Sequence, residues 1–140
     1  MSHRIDVPLT LDKDRLLRLT PHDIDDVLER LERMRPQAPA LNTFDLLAQL
    51  GGLKFVAYNH TLWAGLRHDD RTISSPDKAR VLLEEYLSNG GSLAPVAHAI
   101  KRAMLLSGAI SHDMWLALAT DDEKAKYGEA DPRAAMGAER

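Results

Sequence analysis

Six histidines and several neighbouring carboxylates are the residues of this chain whose types could do chemistry. The densest group is His68-Asp69-Asp70, which offers the imidazole and carboxylate ligands of a metal-dependent hydrolase. No two histidines have the i,i+4 spacing of a zinc-binding helix, and His60 lies too far from His68 along a helix to share one ion. We therefore interpret the group as a solvated charged loop and predict no metal. The hydrolase alternative would require stoichiometric metal in the purified protein.

Other catalytic motifs are missing from the sequence. The chain has no cysteine and no Gly-x-Ser-x-Gly, and Ser74-Ser75 precedes a proline as a helix cap would. Neither Gly51-Gly52 nor Gly90-Gly91 is followed by the Gly-Lys-Ser/Thr that cradles nucleotide phosphates. The sequence therefore predicts no catalytic residue and no cofactor, so we expect a protein that is not an enzyme.

The charge balance disfavours nucleic acid as a partner. The formal net charge is -3 and the pI is about 6.0, whereas domains that neutralise phosphates carry a basic excess. A DNA-binding helix-turn-helix, formed by residues 76–87 and the next helix, is also disfavoured. Its second helix begins with residues 93–96, and none of these side chains hydrogen-bonds to base edges. A DNA-associated regulator using Lys101, Arg102 and the loop 67–71 remains open as the alternative.

Length and composition predict one domain. With 140 residues, of which 44% are hydrophobic, the chain has room for a single core. No run of 18 apolar residues and no signal-peptide core are present, so neither membrane insertion nor export is expected. The absence of cysteine gives no support to an oxidising compartment, and we expect a cytoplasmic protein.

Hydropathy patterns then give the elements that position these residues. Alternating apolar residues on either side of Asp12-Lys13-Asp14 predict a β-hairpin over 4–19, with Pro8 on an edge strand. Helical spacing and caps predict further elements at 20–35, 44–50, 53–68, from 76, from 92, and at 111–118. The fold class is therefore mainly α (α+β), an N-terminal β-hairpin followed by a compact bundle of about five helices.

Three local expectations can be checked directly. The helix over 53–68 is apolar nearly all round, so we expect it at the centre of the fold. Its less apolar face consists of Lys54, Tyr58, Thr61 and Gly65. Gly90-Gly91 supplies left-handed residues that close a helix before a cap at Ser92. Residues 1–119 form the single domain, and the polar residues 120–140 form a flexible C-terminal tail.

The order of these pieces is similar to that of a known family. A hairpin leads into the acidic helix of Leu17–Leu28, a short Phe44-Asp45-Leu46-Leu47 helix follows, and then comes Thr61–Asp70, which reads TLWAGLRHDD. A Ser-capped helix and a Gly-Gly-Ser turn complete the pattern, which spans about Val7 to Ile110. Together they resemble the tail assembly chaperones of long-tailed bacteriophages and related gene transfer agents.

The resemblance implies a non-catalytic protein in the cytoplasm of a bacterial host. Such a protein coats the tape-measure protein, helps to recruit the tail-tube protein, and self-associates into a homo-oligomer. The family has no catalytic residues to carry over. For the partner-binding surface we choose apolar residues on faces expected to be half exposed: Phe44, Leu47, Tyr58, Met114 and Trp115. A core position is the alternative for Trp115. The competing hypothesis is a small helical adaptor or DNA-associated regulator of phage or bacterial origin.

Overall fold

The computed structural model describes residues 5–35, 40–52 and 54–127, which form seven helices and one hairpin. In chain order the elements are β1 (Val7–Thr10), β2 (Asp14–Leu17), α1 (Pro21–Met34), α2 (Thr43–Gly51), α3 (Phe55–Leu66), α4 (Pro76–Ser88), α5 (Leu93–Ser107), α6 (His112–Leu118) and α7 (Asp121–Tyr127). The mainly α class with an N-terminal hairpin is confirmed. The described helices number seven rather than about five, since two short ones, α6 and α7, end this part of the chain.

The hairpin covers one side of the core. β1 and β2 are antiparallel, with Val7 opposite Leu17. Val7, Leu9 and Leu17 are buried, as the alternating pattern predicts. Pro8 is exposed on an edge strand of this two-stranded sheet, where a missing N–H is tolerated.

Two helices from later in the chain close over this hairpin. α5 packs against β1, and α3 packs against β2. The hydroxyl of Ser107, at the end of α5, donates a hydrogen bond of 2.5 Å to the carbonyl of Leu19, 88 residues earlier. The core is therefore assembled from both ends of the described chain.

α1 begins with the cap that its sequence predicts. Thr20 Oγ1 accepts from the backbone N–H of Asp23 at 3.2 Å, and the Asp23 carboxylate accepts from the N–H of Thr20 at 3.0 Å. This reciprocal capping box satisfies two donors that a helix start leaves free, and Pro21 occupies the first turn. The helix ends at Met34, one residue before the predicted Arg35. Its buried apolar residues are Ile24, Val27, Leu28 and Leu31.

α3 is the central helix, as its composition predicts. It packs against α1, α2, α4 and β2. Its buried residues are Ala57, Tyr58, Thr61, Leu62, Trp63, Ala64, Gly65 and Leu66. The predicted start at Leu53 lies outside the described residues. Within the described ranges, even this most apolar helix is too short to cross a bilayer, and none of the others has the required length and hydropathy.

The orientation of α3 corrects the prediction. Three of the residues expected to form its less apolar face are buried: Tyr58, Thr61 and Gly65. Phe55 and Val56, apolar residues of a helix expected to be buried nearly all round, are exposed at its first turn. Burial of the polar groups is possible because each is satisfied: Tyr58 donates to the carbonyl of Leu50 at 3.0 Å, and Thr61 donates to a carbonyl one turn earlier at 2.7 Å.

The turn between α4 and α5 uses its two glycines for different reasons. Gly90 has φ of 93°, the left-handed conformation that was predicted. Gly91 does not, which corrects the prediction for it. A Cβ on Gly91 would lie 2.4 Å from the ring of Tyr86, so glycine is needed there for close approach. Ser92 precedes α5 but makes no side-chain cap, and its backbone instead bonds the Tyr86 hydroxyl at 2.9 and 3.2 Å.

The last described segment, residues 111–127, contributes buried side chains to the fold. Trp115 of α6 is fully buried in the core cluster. Residues 121–127, the first part of the predicted tail, form α7, and Glu123 on it is buried. Residues 128–140 lie outside the described residues, so the flexibility of that part stays a prediction.

Candidate functional site

The group of titratable side chains after α3 ties the end of that helix to α1. Arg67 donates to Asp23 at 2.7 Å and to Asp26 at 2.9 Å. His68 Nε2 lies 2.8 Å from the other oxygen of Asp23. These contacts join residues more than 40 positions apart, so the arginine and the histidine have a structural task.

The two aspartates that follow have separate partners in the hairpin. Asp69 accepts the backbone N–H of Leu16 at 3.2 Å, and Asp70 accepts from Arg15 at 3.1 Å. Hydrogen bonds from the hydroxyl and backbone N–H of Thr72, and from Arg15, lower the pKa of Asp70 to about 2. Because neighbouring side chains are drawn to different elements, they do not converge on one ion. Among the described residues, no group of three or more histidines and carboxylates is arranged to hold a metal.

Asp23 is the buried centre of this network and is 1% exposed. Burial alone would raise its pKa, but hydrogen bonds from Arg67, from Thr20 and from His68 hold the pKa below its usual value. Both oxygens of this buried carboxylate are engaged: Oδ1 accepts from Arg67, and Oδ2 accepts from the backbone N–H and the hydroxyl of Thr20 and lies against His68. Asp23 therefore anchors the fold.

A cleft of about 450 Å³ lies beside this network. Its lining residues are Thr20, His22, Asp23, Trp63, Arg67, His68, Arg71, Ile73 and Ser74. The guanidinium of Arg67 also stands 4.5 Å from the centre of the Trp63 ring, and that of Arg30 stands 4.2 Å from it. Two aspartates already neutralise Arg67, and Arg71 is the one other arginine among these lining residues. The cleft therefore does not offer the row of cations that binding a phosphate backbone needs.

A mainly apolar cavity lies between α2, α3, α5 and the end of α6. We call it the groove. Its volume is about 370 Å³, within the range of about 300–1,000 Å³ typical of binding pockets. The lining residues are Leu47, Leu50, Gly51, Tyr58, Leu93, Ala94, Ala97, Lys101, Leu118 and Thr120.

Helical periodicity explains the two facing walls of the groove. Ala94, Ala97 and Lys101 recur at intervals of three and four residues, so they form one stripe along α5. Leu47 and Leu50 make the opposite stripe on α2 in the same way. Two small residues on α5 leave space between ridges of larger side chains, which is how helices accept one another. The walls of the groove are therefore mainly apolar, with two small residues on the α5 side.

One end of the groove is fixed by an ion pair. Lys101 donates to the Glu123 carboxylate at 2.5 Å, and His98 Nδ1 lies 2.5 Å from its other oxygen. The backbone N–H of Thr120 donates to Glu123 at 3.0 Å, and the Thr120 hydroxyl accepts from the Glu123 N–H at 3.2 Å. Burial acts to raise the pKa of Glu123, but Lys101, Thr120 and His98 together lower it to about 2. Lys101 is thus neutralised within the protein.

Of the five residues chosen for partner binding, two have the expected exposure and three are more buried than expected. Phe44 is 58% exposed and Met114 is half-buried, as expected. Leu47 and Tyr58 are buried rather than half exposed, but both line the groove. Trp115 is 0% exposed and lies in the core, so the expected exposure is wrong there and the core alternative is right. These burials result from packing between helices, of α2 with α3 and of α6 with α5, which periodicity within a single helix does not report.

Sequence reasoning missed the α5 wall and the ion pair that ends the groove. Ala94 and Ala97 are too small to mark a face, and their significance depends on facing Leu47 and Leu50. Glu123 carried a readable signal, because Thr120-Asp121-Asp122-Glu123 has the capping-box spacing that starts a helix. The polar composition of the tail outweighed that signal.

Comparisons of the chain with models of protein families, with curated proteins and with solved structures found no match. The physical character of the groove is then the main guide to function. Its walls are apolar, and its lysine is already paired. Such a surface binds apolar groups by releasing water from both sides.

Proposed function

We propose that this chain is a non-catalytic assembly chaperone that holds an apolar helical segment of a partner in the groove. The observation that carries the proposal is the apolar cavity between the stripes of α2 and α5. The partner that the sequence resemblance implies is a tape-measure protein, with delivery to tail-tube subunits as the later step.

The chemistry of the groove supports an apolar helix as its occupant. The charge of Lys101 is already matched by Glu123, so a charged ligand gains little from the lining. Small residues at 94 and 97 allow a helix to approach closely, and recognition of one amphipathic helix in a groove is a recurring mode of partner binding. A tape measure is long, helical and prone to aggregate before its tube forms, so covering its apolar stripes is a useful task.

The first test identifies the partner from the coding DNA. We expect a slippery run near the 3′ end, an overlapping frame, and a very long downstream frame that encodes a helical protein. A fragment of that protein, co-expressed with this chain, is expected to co-purify with it. Retention at high salt is expected because apolar contacts are little screened. Loss of the complex at moderate salt would contradict the proposal.

A matched pair of variants locates the binding site. Ala94 is exposed and lines the groove, so Ala94→Trp fills the groove without entering the core. Ala48 is also exposed, on α2, but it does not line the groove, and Ala48→Trp is the control. We expect the first variant to lose the partner and the second to keep it. Equal retention by both variants would exclude the groove as the binding site.

A further inference from the structure

The three asparagines of the chain lie in three different settings, and one of them is open to chemical modification. Asn42 caps α2, where its Oδ1 accepts the backbone N–H of Asp45 at 2.9 Å. Asn59 is half-buried within the central helix α3. Asn89 is exposed at the end of α4, and no described residue hydrogen-bonds to its side-chain amide. Asn89 is therefore the asparagine whose side chain is available to react.

The residue that follows Asn89 also favours a reaction there. Asparagine is a thermolabile residue. Its loss begins when the backbone nitrogen of the next residue attacks the carbonyl carbon of the side-chain amide. After Asn89 that residue is Gly90, which has no side chain to hinder the attack, and a Cβ at position 90 would meet nothing within 4 Å. Asn42 is instead followed by the β-branched Thr43.

The folded turn keeps the two reacting groups apart. The ψ angle of Asn89 is 19°, and at a ψ near zero the next nitrogen eclipses the residue's own nitrogen and points away from its side chain. The N–H of Gly90 donates to the carbonyl of Leu87 at 3.2 Å, and that of Gly91 donates to the carbonyl of Tyr86 at 2.9 Å. Helix ends open locally at a much smaller free-energy cost than the whole protein. The reaction must therefore proceed through opening of this turn.

We propose that Asn89 is a site of spontaneous deamidation, and that opening of the α4–α5 turn sets the rate. The backbone nitrogen of Gly90 loses its proton to hydroxide and attacks Cγ of Asn89. The N–Cγ bond forms, the Cγ–Nδ2 bond breaks, and the leaving nitrogen takes a proton from water, which releases ammonia and regenerates hydroxide. Water then adds to either carbonyl of the resulting succinimide and gives aspartate or isoaspartate.

The product places a negative charge where the fold disfavours one. The new carboxylate stands at the C-terminal end of α4, where the helix dipole favours positive charge. Glu85 lies one turn earlier on the same helix and lines the same hollow, of about 350 Å³, as Asn89. Like charges at i,i+4 repel each other. We therefore expect the modified turn to be less stable than the original one.

The test incubates the unmodified full chain in mildly alkaline buffer and follows its tryptic peptides by mass spectrometry. Asn89 carries the one side-chain amide of the peptide over 81–101, and the peptides over 34–54 and 55–67 contain Asn42 and Asn59. We expect Asn89 to exchange its amide for an acid about tenfold or more faster than the other two, because its setting opens locally. Two product forms, aspartate and isoaspartate, should separate by chromatography. Equal rates at the three asparagines, or no change at Asn89, would overturn the proposal.

A pair of variants tests whether the turn sets the rate. The Tyr86 hydroxyl bonds both the carbonyl and the N–H of Ser92, across the turn, at 2.9 and 3.2 Å. Tyr86→Phe removes both bonds and should speed the reaction about threefold or more, the effect of one typical hydrogen bond. Thr61→Val is the control, since it removes a hydroxyl hydrogen bond within α3. Equal rates in the two variants would overturn control by the turn.

The effect of the new charge is measured separately. Asn89→Asp carries the charge of the product, and Asn89→Gln keeps the neutral amide. At low salt, we expect Asn89→Asp to unfold at a lower urea concentration than Asn89→Gln, and equal midpoints would overturn the predicted destabilisation. None of these measurements involves a partner, so the deamidation and the chaperone function can each fail without the other.

Discussion

Gly65 of α3 lies directly against Leu17 of β2: a Cβ at position 65 would fall 2.3 Å from Leu17 Cδ1. The carbonyl of Gly65 accepts the backbone N–H of Arg18 at 3.1 Å, so helix and strand are also joined through their main chains. Gly65 lies in the last turn of α3, and a glycine within a helix costs intrinsic helix stability. Here it allows the central helix to touch the hairpin.

Replacing this glycine should loosen the fold. Gly65→Ala forces the Leu17 and Leu19 side chains to move and is expected to lower the free energy of unfolding by about 1–3 kcal/mol. Gly51→Ala is the matched control, since a Cβ there meets nothing within 4 Å, and we expect a gain of about 0.5–1 kcal/mol. Urea unfolding of both variants measures the difference. Equal effects would contradict the close approach.

Removing the charge of Asp23 should also destabilise the protein. Asp23→Asn leaves the partly buried Arg67 with Asp26 alone, and we expect a loss of about 2–3 kcal/mol, below the about 3–5 kcal/mol of a fully buried pair. Asp25→Asn changes an exposed carboxylate on the same turn and should cost less than about 1 kcal/mol. Thermal unfolding at low salt compares them. A small effect of Asp23→Asn would show that the network is dispensable.

Stability should fall in acid because of Glu123. Its pKa is lowered from 4.5 to about 2 in the folded protein, so its contribution is complete above pH 4.5 and is lost as the pH falls towards 2. Unfolding by urea between about pH 6 and about pH 3 follows this loss. Glu123→Gln should flatten that part of the profile while leaving the shares due to the other carboxyl groups with a lowered pKa, Asp12, Asp23 and Asp70. An unchanged profile would indicate that the carboxylate is not anchored.

Replacing each of the two tryptophans with phenylalanine should change stability by different amounts. Trp115 Nε1 is buried and no described residue accepts from it, an arrangement that costs about 1–3 kcal/mol. Trp115→Phe should therefore be neutral within about 1 kcal/mol, because removing this donor offsets the lost packing. Trp63→Phe weakens two contacts with Arg30 and Arg67 and should cost about 1–2 kcal/mol. Chemical unfolding measures both, and a larger cost at Trp115 would reverse the assignment.

Truncation after Ile110 tests the core position of Trp115 independently. The shortened chain lacks all of α6, so it exposes the surface that Trp115 covers. We expect cooperative unfolding to be lost, as seen by calorimetry. A shortened chain that unfolds with a sharp transition would return Trp115 to the list of partner contacts.

Much of the local structure could be predicted because its causes are local. The cap at Thr20, the proline that follows it and the alternating hairpin are each determined by residues within one turn or one strand pair. The face that α3 buries could not be predicted in this way. It depends on residues outside the helix, among them Leu17 of the hairpin, which contacts Gly65, and Leu50 of α2, which accepts from Tyr58.

The groove was harder to predict than the fold, because it exists only between elements. Leu47 and Tyr58 were selected as apolar residues, but their common cavity requires α5 to lie opposite α2. The titratable residues at 67–70 have the types that could bind a metal, but their side chains bind α1 and the hairpin. Charge pairs between distant residues leave no spacing pattern in a sequence.

The hydrogen bond between Ser107 and Leu19 means that the hairpin can be covered only after α5 has been synthesised. The hairpin emerges from the ribosome first, but α5, which covers it, is complete only 88 residues later. At about 5–20 residues per second, the nascent hairpin waits roughly 4–18 s for its cover. During that interval the part of the apolar face that α5 covers is open to other nascent chains. The protein can fold as a unit only after α5 and α6, which carries the buried Trp115, have both left the ribosome.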